Sequence, residues 1–204
     1  MRVIPTCLCL AASALVLVPQ SAMARQLAVV KVSSQNVACV FAPNCAVSPT
    51  DTMAYFQMFG DAGNGRILVR TYPGLPGTKA AGLTGYSFTI DMRGATTLGM
   101  PNCVSKLVLD TGPLASLDYG GTAEVFVVNG AGGPAVRSVS QAGGKTTIAF
   151  ASAICPGTSA ASQSLYFGFA SKNAPVWGKG QVSGSLQGTV DVDLRLPKHS
   201  GPDS

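Results

Sequence analysis

The sequence predicts an all-β protein, an antiparallel two-sheet β-sandwich of about ten strands held by two disulfides. Apolar and polar residues alternate with a period of two along many short segments, which indicates half-buried strands. Glycine- and proline-rich turns separate these segments, and the 204 residues include 24 glycines and 13 prolines. No stretch shows the period of a long helix. Regular short strands of this kind are typical of jelly-roll or immunoglobulin-like sandwiches.

The first 24 residues predict a secretory signal peptide. A basic start at Met1-Arg2 precedes an apolar run from Leu8 to Val18. Pro19 and the small-residue site Ala22-Met23-Ala24 complete the usual cleavage pattern. The apolar run is shorter than the roughly 20 residues that span a bilayer, so we expect no membrane span. We therefore expect a secreted or periplasmic protein, bacterial in origin, whose mature chain begins at Arg25.

Residues 25–196 predict one β-sandwich domain, which is long enough to bury one good core. In the clearest segment Tyr86, Phe88 and Ile90 alternate with polar residues. The segments 111–117 and 160–164 predict single helical turns. Residues 197–204 predict a flexible polar tail. The predicted strands cover residues 27–32, 66–72, 84–92, 104–110, 124–129, 145–151, 165–171, 181–186 and 189–196.

Four cysteines follow the predicted cleavage site, and an even number in an oxidising compartment indicates two disulfides. They form no C-x-x-C pair, which disfavours a zinc site. Of the three connectivities we favour Cys39–Cys45 with Cys103–Cys155. The first bridge would staple a hairpin, because a turn-like segment separates the two residues. The second would close a loop of about 50 residues and would restrict the unfolded chain strongly.

The composition disfavours catalysis. Only 11% of the residues are charged, against about 25% in an average soluble domain. The single histidine, His199, lies in the predicted tail, and no G-x-S-x-G motif is present. Asp91, Asp191 and Asp193 occupy polar positions of alternating strands, so we expect them to face solvent. The remaining acidic pair across a loop is Asp118 with Glu124, which an extracellular polymer hydrolase could use.

The segment from Asp118 to Glu124 is also a candidate calcium loop. Its two carboxylates flank a Gly-Gly turn, and the carbonyls of Gly120 and Thr122 would add the oxygen ligands that calcium prefers. The middle acids of a typical D-x-D-x-D-G loop are absent, so a structural hairpin loop is the alternative. No other cofactor is indicated.

The only tryptophan, Trp177, lies in a Pro/Gly-bounded segment between predicted strands, with Lys172 and Lys179 on either side. An exposed tryptophan can stack on a sugar face or fill a pocket in a protein partner. Alternatively, Trp177 folds back and caps one end of the sandwich. These three residues form the candidate ligand-binding set.

The favoured function is that of a secreted, non-catalytic protein that binds or coats an extracellular or envelope surface or polymer. One alternative is an extracellular polymer hydrolase that uses Asp118 and Glu124. The other is a protein-binding adhesin or inhibitor that presents the loops around Trp177. The formal net charge of +5 is spread over singly scattered basic residues, which disfavours a nucleic-acid partner.

Overall fold

A computed structural model describes residues 23–130, 133–186 and 188–199. Residues 1–22, which hold most of the predicted signal peptide, and residues 200–204 of the predicted tail lie outside these ranges. Within them the chain is mostly β. The elements are β1 (Arg25–Gln26), β2 (Val29–Val32), α1 (Ser34–Phe41), β3 (Thr50–Phe56), β4 (Asp61–Gly63), β5 (Gly65–Pro73), β6 (Thr84–Asp91), β7 (Ala95–Thr97), β8 (Val104–Asp110), β9 (Leu117–Asp118), β10 (Thr122–Ala123), β11 (Val125–Val128), β12 (Val136–Ala142), β13 (Lys145–Ile154), a 3₁₀ helix (Ala160–Ser162), β14 (Phe167–Ser171), β15 (Pro175–Gly184) and β16 (Thr189–Pro197).

Two six-stranded sheets organise these strands. The first sheet has the order β1-β12-β13-β8-β15-β16 and is antiparallel throughout. The second has the order β2-β11-β14-β6-β5-β3. Its β2–β11 pair is parallel, so the prediction of purely antiparallel sheets is wrong at this edge. The pairs β4–β7 and β9–β10 form small separate ribbons.

The described residues hold sixteen strands rather than the predicted ten or so. Five of the additional strands, β1, β4, β7, β9 and β10, have two or three residues each, too few for an alternating pattern to show. The other two, β3 and β12, are longer but rich in polar side chains. The helical turn predicted at 160–164 is present as the 3₁₀ helix, whereas residues 111–117 contain no helix.

Residues from both six-stranded sheets belong to one apolar core cluster. Its aromatic centre lies on β6 and β14, where Phe88 stacks on Phe167 with ring centroids 5.8 Å apart. Tyr86 stacks in the same way on Phe169. The first sheet contributes Leu107, Leu109, Ile148, Val182, Val192 and Leu194. The alternating pattern therefore marks the strand positions that face this core.

Helix α1 covers part of the other face of the second sheet. The Ser33 hydroxyl caps its start by accepting a hydrogen bond from the Asn36 backbone N–H at 3.1 Å. The helix buries Val37, Val40 and Phe41 against Tyr72 of β5, whose ring meets Phe41 edge-on at 4.9 Å. Eight residues are too few to show a helical period clearly, which is why the sequence did not predict it.

Both predicted disulfides are present. Cys39 lies in α1, however, so the Cys39–Cys45 bridge ties a helix to the following turn and the expected hairpin is wrong. Cys45 has a positive φ of 54°, which is uncommon outside glycine and fits a tight turn. The second bridge, Cys103–Cys155, joins the segments beside the neighbouring strands β8 and β13.

The start of the predicted tail packs against the first sheet. Pro197 is the last residue of β16, and the Lys198 backbone N–H donates to the Ala174 carbonyl at 2.9 Å. His199 Nδ1 lies 2.7 Å from Asp110 Oδ1. The imidazole ring lies against Gly112 and Gly144, where a Cβ atom on either glycine would collide with it.

Asp61, at the start of β4, is a buried acid. Its residue is 3% exposed, and neither carboxylate oxygen has a well-formed hydrogen bond within the described ranges. Burial raises the pKa of Asp61 above its ordinary value of 3.8, and the nearby Asn102 backbone N–H opposes this shift. Folding therefore makes this carboxylate easier to protonate than it is in the unfolded chain.

Asp61→Asn is expected to raise the free energy of unfolding at neutral pH by about 1 kcal/mol, because it removes a buried charge that lacks adequate partners. A raised pKa means that the stabilising contribution of protonated Asp61 is complete below its unfolded value and is lost as the pH rises through the folded value. The gain should therefore vanish below about pH 4. Urea unfolding at neutral and acidic pH, with the exposed Asp191→Asn as control, measures it. Equal stability of variant and wild type at neutral pH would contradict the expectation.

Candidate functional site

Three cavities on the outer face of the second sheet share Tyr166 as a lining residue. Their volumes are about 230, 300 and 200 Å³. The first lies between α1 and the sheet, whereas no α1 residue lines the other two. The third is bordered by Met53, an exposed residue of β3. We call this surface the Tyr166 groove and define it by its polar and aromatic lining, Arg66, Arg70, Asp91, Arg93, Gln163 and Tyr166.

Strand alternation places two arginines in the groove. On β5, Ile67 and Val69 point into the core, so Arg66 and Arg70 point to the opposite face. Arg66 lies opposite Asp91 of β6 in the strand register. The same alternation that predicted the core strand therefore contained a signal for the site, in the two arginines on its polar side.

Asp91 holds two guanidinium groups at once. Arg66 donates through Nε and Nη2 to Asp91 Oδ2 at 3.1 and 2.8 Å. Arg93 donates through Nε to Oδ1 at 2.9 Å and through Nη2 to Oδ2 at 2.8 Å. The Arg93 backbone N–H adds a bond of 2.9 Å to Oδ1. These bonds, those from Arg93 above all, hold the pKa of Asp91 well below its ordinary value of 3.8.

The expectation that Asp91 faces solvent is wrong, because the residue is only 4% exposed. The two arginine side chains lie over it, and the segment at Gln163 pairs with it through an isolated β-bridge. Asp191 and Asp193 are exposed, as expected. The ionised Asp91 carboxylate is engaged from several sides, so its role in this geometry is to fix the arginines rather than to exchange protons.

Arg70 borders the cavity between α1 and the sheet. Its guanidinium lies 5.4 Å from the centroid of the Tyr166 ring, within the range of a cation–π contact. Its Nε is 3.3 Å from Asp51 Oδ1, an ion pair at the rim. The rest of that cavity is mainly apolar, with walls from α1, β11 and the 47–49 segment. The groove thus combines fixed cations, an aromatic ring and an apolar recess.

Asp118, one of the predicted hydrolase and calcium residues, has a structural environment of its own. Its Oδ2 pairs with Lys79 Nζ at 2.7 Å, and its Oδ1 accepts from the backbone N–H groups of Gly120 and Gly121 at 2.9 Å each. The Lys79 ammonium and these two donors lower the pKa of Asp118 to about 2. This is the hairpin-loop alternative: Asp118 ends β9, and the turn leads into β10.

Glu124 takes a different set of partners. It pairs with Arg25 Nη1 at 2.7 Å and accepts from the Ala28 backbone N–H at 2.8 Å, which fastens the N-terminal strands. The structure therefore gives Asp118 and Glu124 separate cationic partners. Across the described ranges, no group of three or more His, Cys, Asp or Glu side chains could hold a metal ion. Neither the calcium nor the two-carboxylate interpretation gains support from this geometry.

Trp177 lies near the start of a strand, β15, rather than in the predicted loop. It is 60% exposed and faces its cross-strand neighbour Arg195, whose guanidinium is 5.6 Å from the ring centroid. Lys179 follows on the same face and pairs with Asp193 at 2.7 Å. Lys172 lies in the turn before β15 and lines a cavity that is not part of the Tyr166 groove. The structure thus brings Trp177 and Lys179 together on an edge hairpin but leaves Lys172 apart.

Comparisons of the chain with protein-family models, curated proteins and solved structures found no match. Among the described residues, no helix combines the length and apolar character needed to cross a bilayer. The functional inference therefore starts from the geometry of the Tyr166 groove.

Proposed function

We propose that this protein is an exported, non-catalytic binder of an extracellular or envelope polymer, and that the Tyr166 groove is its binding surface. The observation that carries the proposal is that three cavities share Tyr166 on an open sheet face, bordered by the guanidinium groups of Arg66, Arg70 and Arg93. Three recesses that share lining residues suit successive units of a polymer better than one small molecule, which usually fills a single deep pocket.

We further infer that the two six-stranded sheets pack face to face as a β-sandwich. In support, residues of both sheets contribute to one core cluster, and β16 at the edge of the first sheet contacts β3 at the edge of the second. Such a frame would fix the groove on strands rather than on mobile loops. The two disulfides suit an oxidising compartment and so support export.

Tyr166→Ala is expected to weaken polymer binding by about tenfold, because the ring provides the stacking surface that all three cavities share. The measurement is affinity electrophoresis of the mature chain in gels containing soluble polysaccharides, with sedimentation on insoluble cellulose, chitin and peptidoglycan. Tyr166→Phe keeps the ring and should keep most of the affinity. Melting temperatures of all variants show whether each is folded.

Trp177→Ala is the matched control, because Trp177 is a second aromatic residue at the surface but lies on the first sheet. Loss of binding with Tyr166→Ala alone supports the groove. Loss with Trp177→Ala alone would overturn the groove and favour the adhesin or inhibitor alternative, for which the 60% exposure of Trp177 is the supporting observation. Release of reducing ends from a bound polymer would overturn the non-catalytic assignment.

A further inference from the structure

We infer that the polymer bound by the Tyr166 groove is an acidic polysaccharide, whose anionic groups bind beside the Arg66 and Arg93 guanidinium groups. The inference rests on the proposed function and specifies its ligand class. It is carried by an imbalance of charge: three arginines line the three cavities, and Asp91 in the lining together with Asp51 at the rim leaves one positive charge unbalanced.

The sharing of one acid by two cations sets this site apart from other ion pairs in the described residues. In the pairs Arg25–Glu124, Lys79–Asp118 and Lys179–Asp193, one cation meets one acid. At Asp91, two guanidinium groups share a single carboxylate. A positive charge is therefore left over, and an anion from a ligand would balance it.

The positive charge that Asp91 does not balance is accessible at the surface. Arg66 and Arg93 both use Nε and Nη2 for Asp91, so the Nη1 edge of each guanidinium is not part of these contacts. The Arg66 and Arg93 side chains are 44% and 46% exposed, while the Asp91 side chain beneath them is 5% exposed. A guanidinium offers paired N–H donors that match carboxylate or sulfate oxygens.

The arginines are also held in place before any ligand arrives. Asp91 fixes two of them, and the Tyr166 ring with Asp51 fixes Arg70. Less side-chain entropy is then lost on binding than with free arginines. Lys172 and Lys79, by contrast, each line a cavity whose described lining contains no second lysine or arginine.

The spacing favours a polymer over a single anion. Arg66 and Arg70 lie four residues apart on β5, about 13 Å at ~3.3 Å per residue. One small anion cannot bridge that distance, whereas a chain with repeated acidic groups can.

The lining also contains the uncharged polar residues Ser87, Thr89, Gln163 and Ser164. Gln163 is partly exposed, whereas Thr89 and Ser164 are buried and hydrogen-bonded to each other. Of the aromatic lining residues, Tyr166 is partly exposed, whereas Tyr72 and Phe126 are buried, so the groove offers one ring for stacking. One such ring fits a sugar chain better than single-stranded nucleic acid, which stacks on successive aromatic platforms.

The experiment measures binding of the mature chain to polygalacturonate, with dextran as the neutral polymer and dextran sulfate as the sulfated one. We expect polygalacturonate binding to fall at least tenfold between about 50 mM and about 500 mM NaCl, because salt screens the contacts of half-exposed arginines. Arg70→Gln is expected to weaken binding about tenfold. Arg137→Gln, at an exposed position of β12 in the first sheet, is the control and should leave it unchanged.

Removing Arg66 or Arg93 alone would leave the buried Asp91 without one of its cationic partners. The second variant therefore replaces all three charged side chains by uncharged ones: Arg66→Gln, Asp91→Asn and Arg93→Gln combined. If its melting transition shows that this variant folds, it should lose polygalacturonate binding. If it does not fold, Arg70→Gln decides.

Binding of dextran that is sensitive to Tyr166→Ala but not to the arginine variants would overturn the acidic ligand while leaving the proposed function intact. Failure to bind any polymer would overturn both. Stronger binding of single-stranded DNA than of polygalacturonate and dextran sulfate would overturn the polysaccharide assignment. Preference for either acidic polysaccharide supports the inference and identifies the anionic group.

Discussion

Replacing Cys103 and Cys155 together by alanine is expected to lower the free energy of unfolding by about 4 kcal/mol. The bridge joins residues 52 positions apart, so its loss returns the entropy of a long loop to the unfolded chain. For a domain of this size the change corresponds to a melting temperature lower by about 10 °C. Urea unfolding and calorimetry under non-reducing conditions measure both quantities.

The bridge that involves α1 provides the internal control. Cys39 and Cys45 are six positions apart, so replacing both by alanine is expected to cost only about 2 kcal/mol. Equal losses for the two double variants would contradict the loop-entropy explanation. They would indicate instead that native packing around each bridge dominates, for example at Val104 and Ile154, the fully buried neighbours of Cys103 and Cys155.

The strand positions that face the core could be predicted from sequence, because their signal is local. Tyr86, Phe88 and Ile90 alternate within a few residues, and the predicted strand 104–110 has the same bounds as β8. The disulfide pairing could also be predicted, since six and 52 residues separate the partners in the favoured connectivity. Each of these inferences needed only neighbouring positions or a count.

The environment of Asp91 could not be predicted, because its partners are set by sheet order. Alternation correctly assigned it to the polar face of its strand, but the cover over that face comes from Arg66, 25 residues earlier, and from Gln163, far later in the chain. The contact between Asp110 and His199 is longer in range still, at 89 residues. Periodicity carries no information on which strands become neighbours.

The candidate site was missed for a related reason. The sequence predicted Trp177 as a ligand-binding residue because it is the only tryptophan. It predicted Asp118 and Glu124 as a site because they are close in sequence. The Tyr166 groove instead combines residues of β5 with residues at the end of β6, just after β6 and before β14. These meet because β5, β6 and β14 are adjacent in the second sheet. Arginines four residues apart on the polar side of one strand were the available local signal.

Asp91→Asn is expected to lower the free energy of unfolding by about 2–3 kcal/mol at neutral pH. The carboxylate accepts five hydrogen bonds from Arg66 and Arg93, and an amide in its place turns an N–H₂ group toward one of these donors. Loss of one partner from a fully buried ion pair costs about 3–5 kcal/mol. The two guanidinium groups are half exposed, so water compensates part of that loss.

The pH dependence separates this electrostatic loss from a packing defect. The pKa of Asp91 is lowered in the folded protein, so its stabilising contribution is present above the ordinary value of 3.8 and is lost as the pH falls through the folded value. Wild type and Asp91→Asn should therefore converge in stability as the pH is lowered below about 4. Asp51→Asn, which removes a half-exposed partner of Arg70, is the control and should cost less than about 1 kcal/mol. A deficit for Asp91→Asn that stays constant from neutral to strongly acidic pH would contradict the role of Asp91 as the charged anchor of the groove, because a packing defect does not depend on protonation.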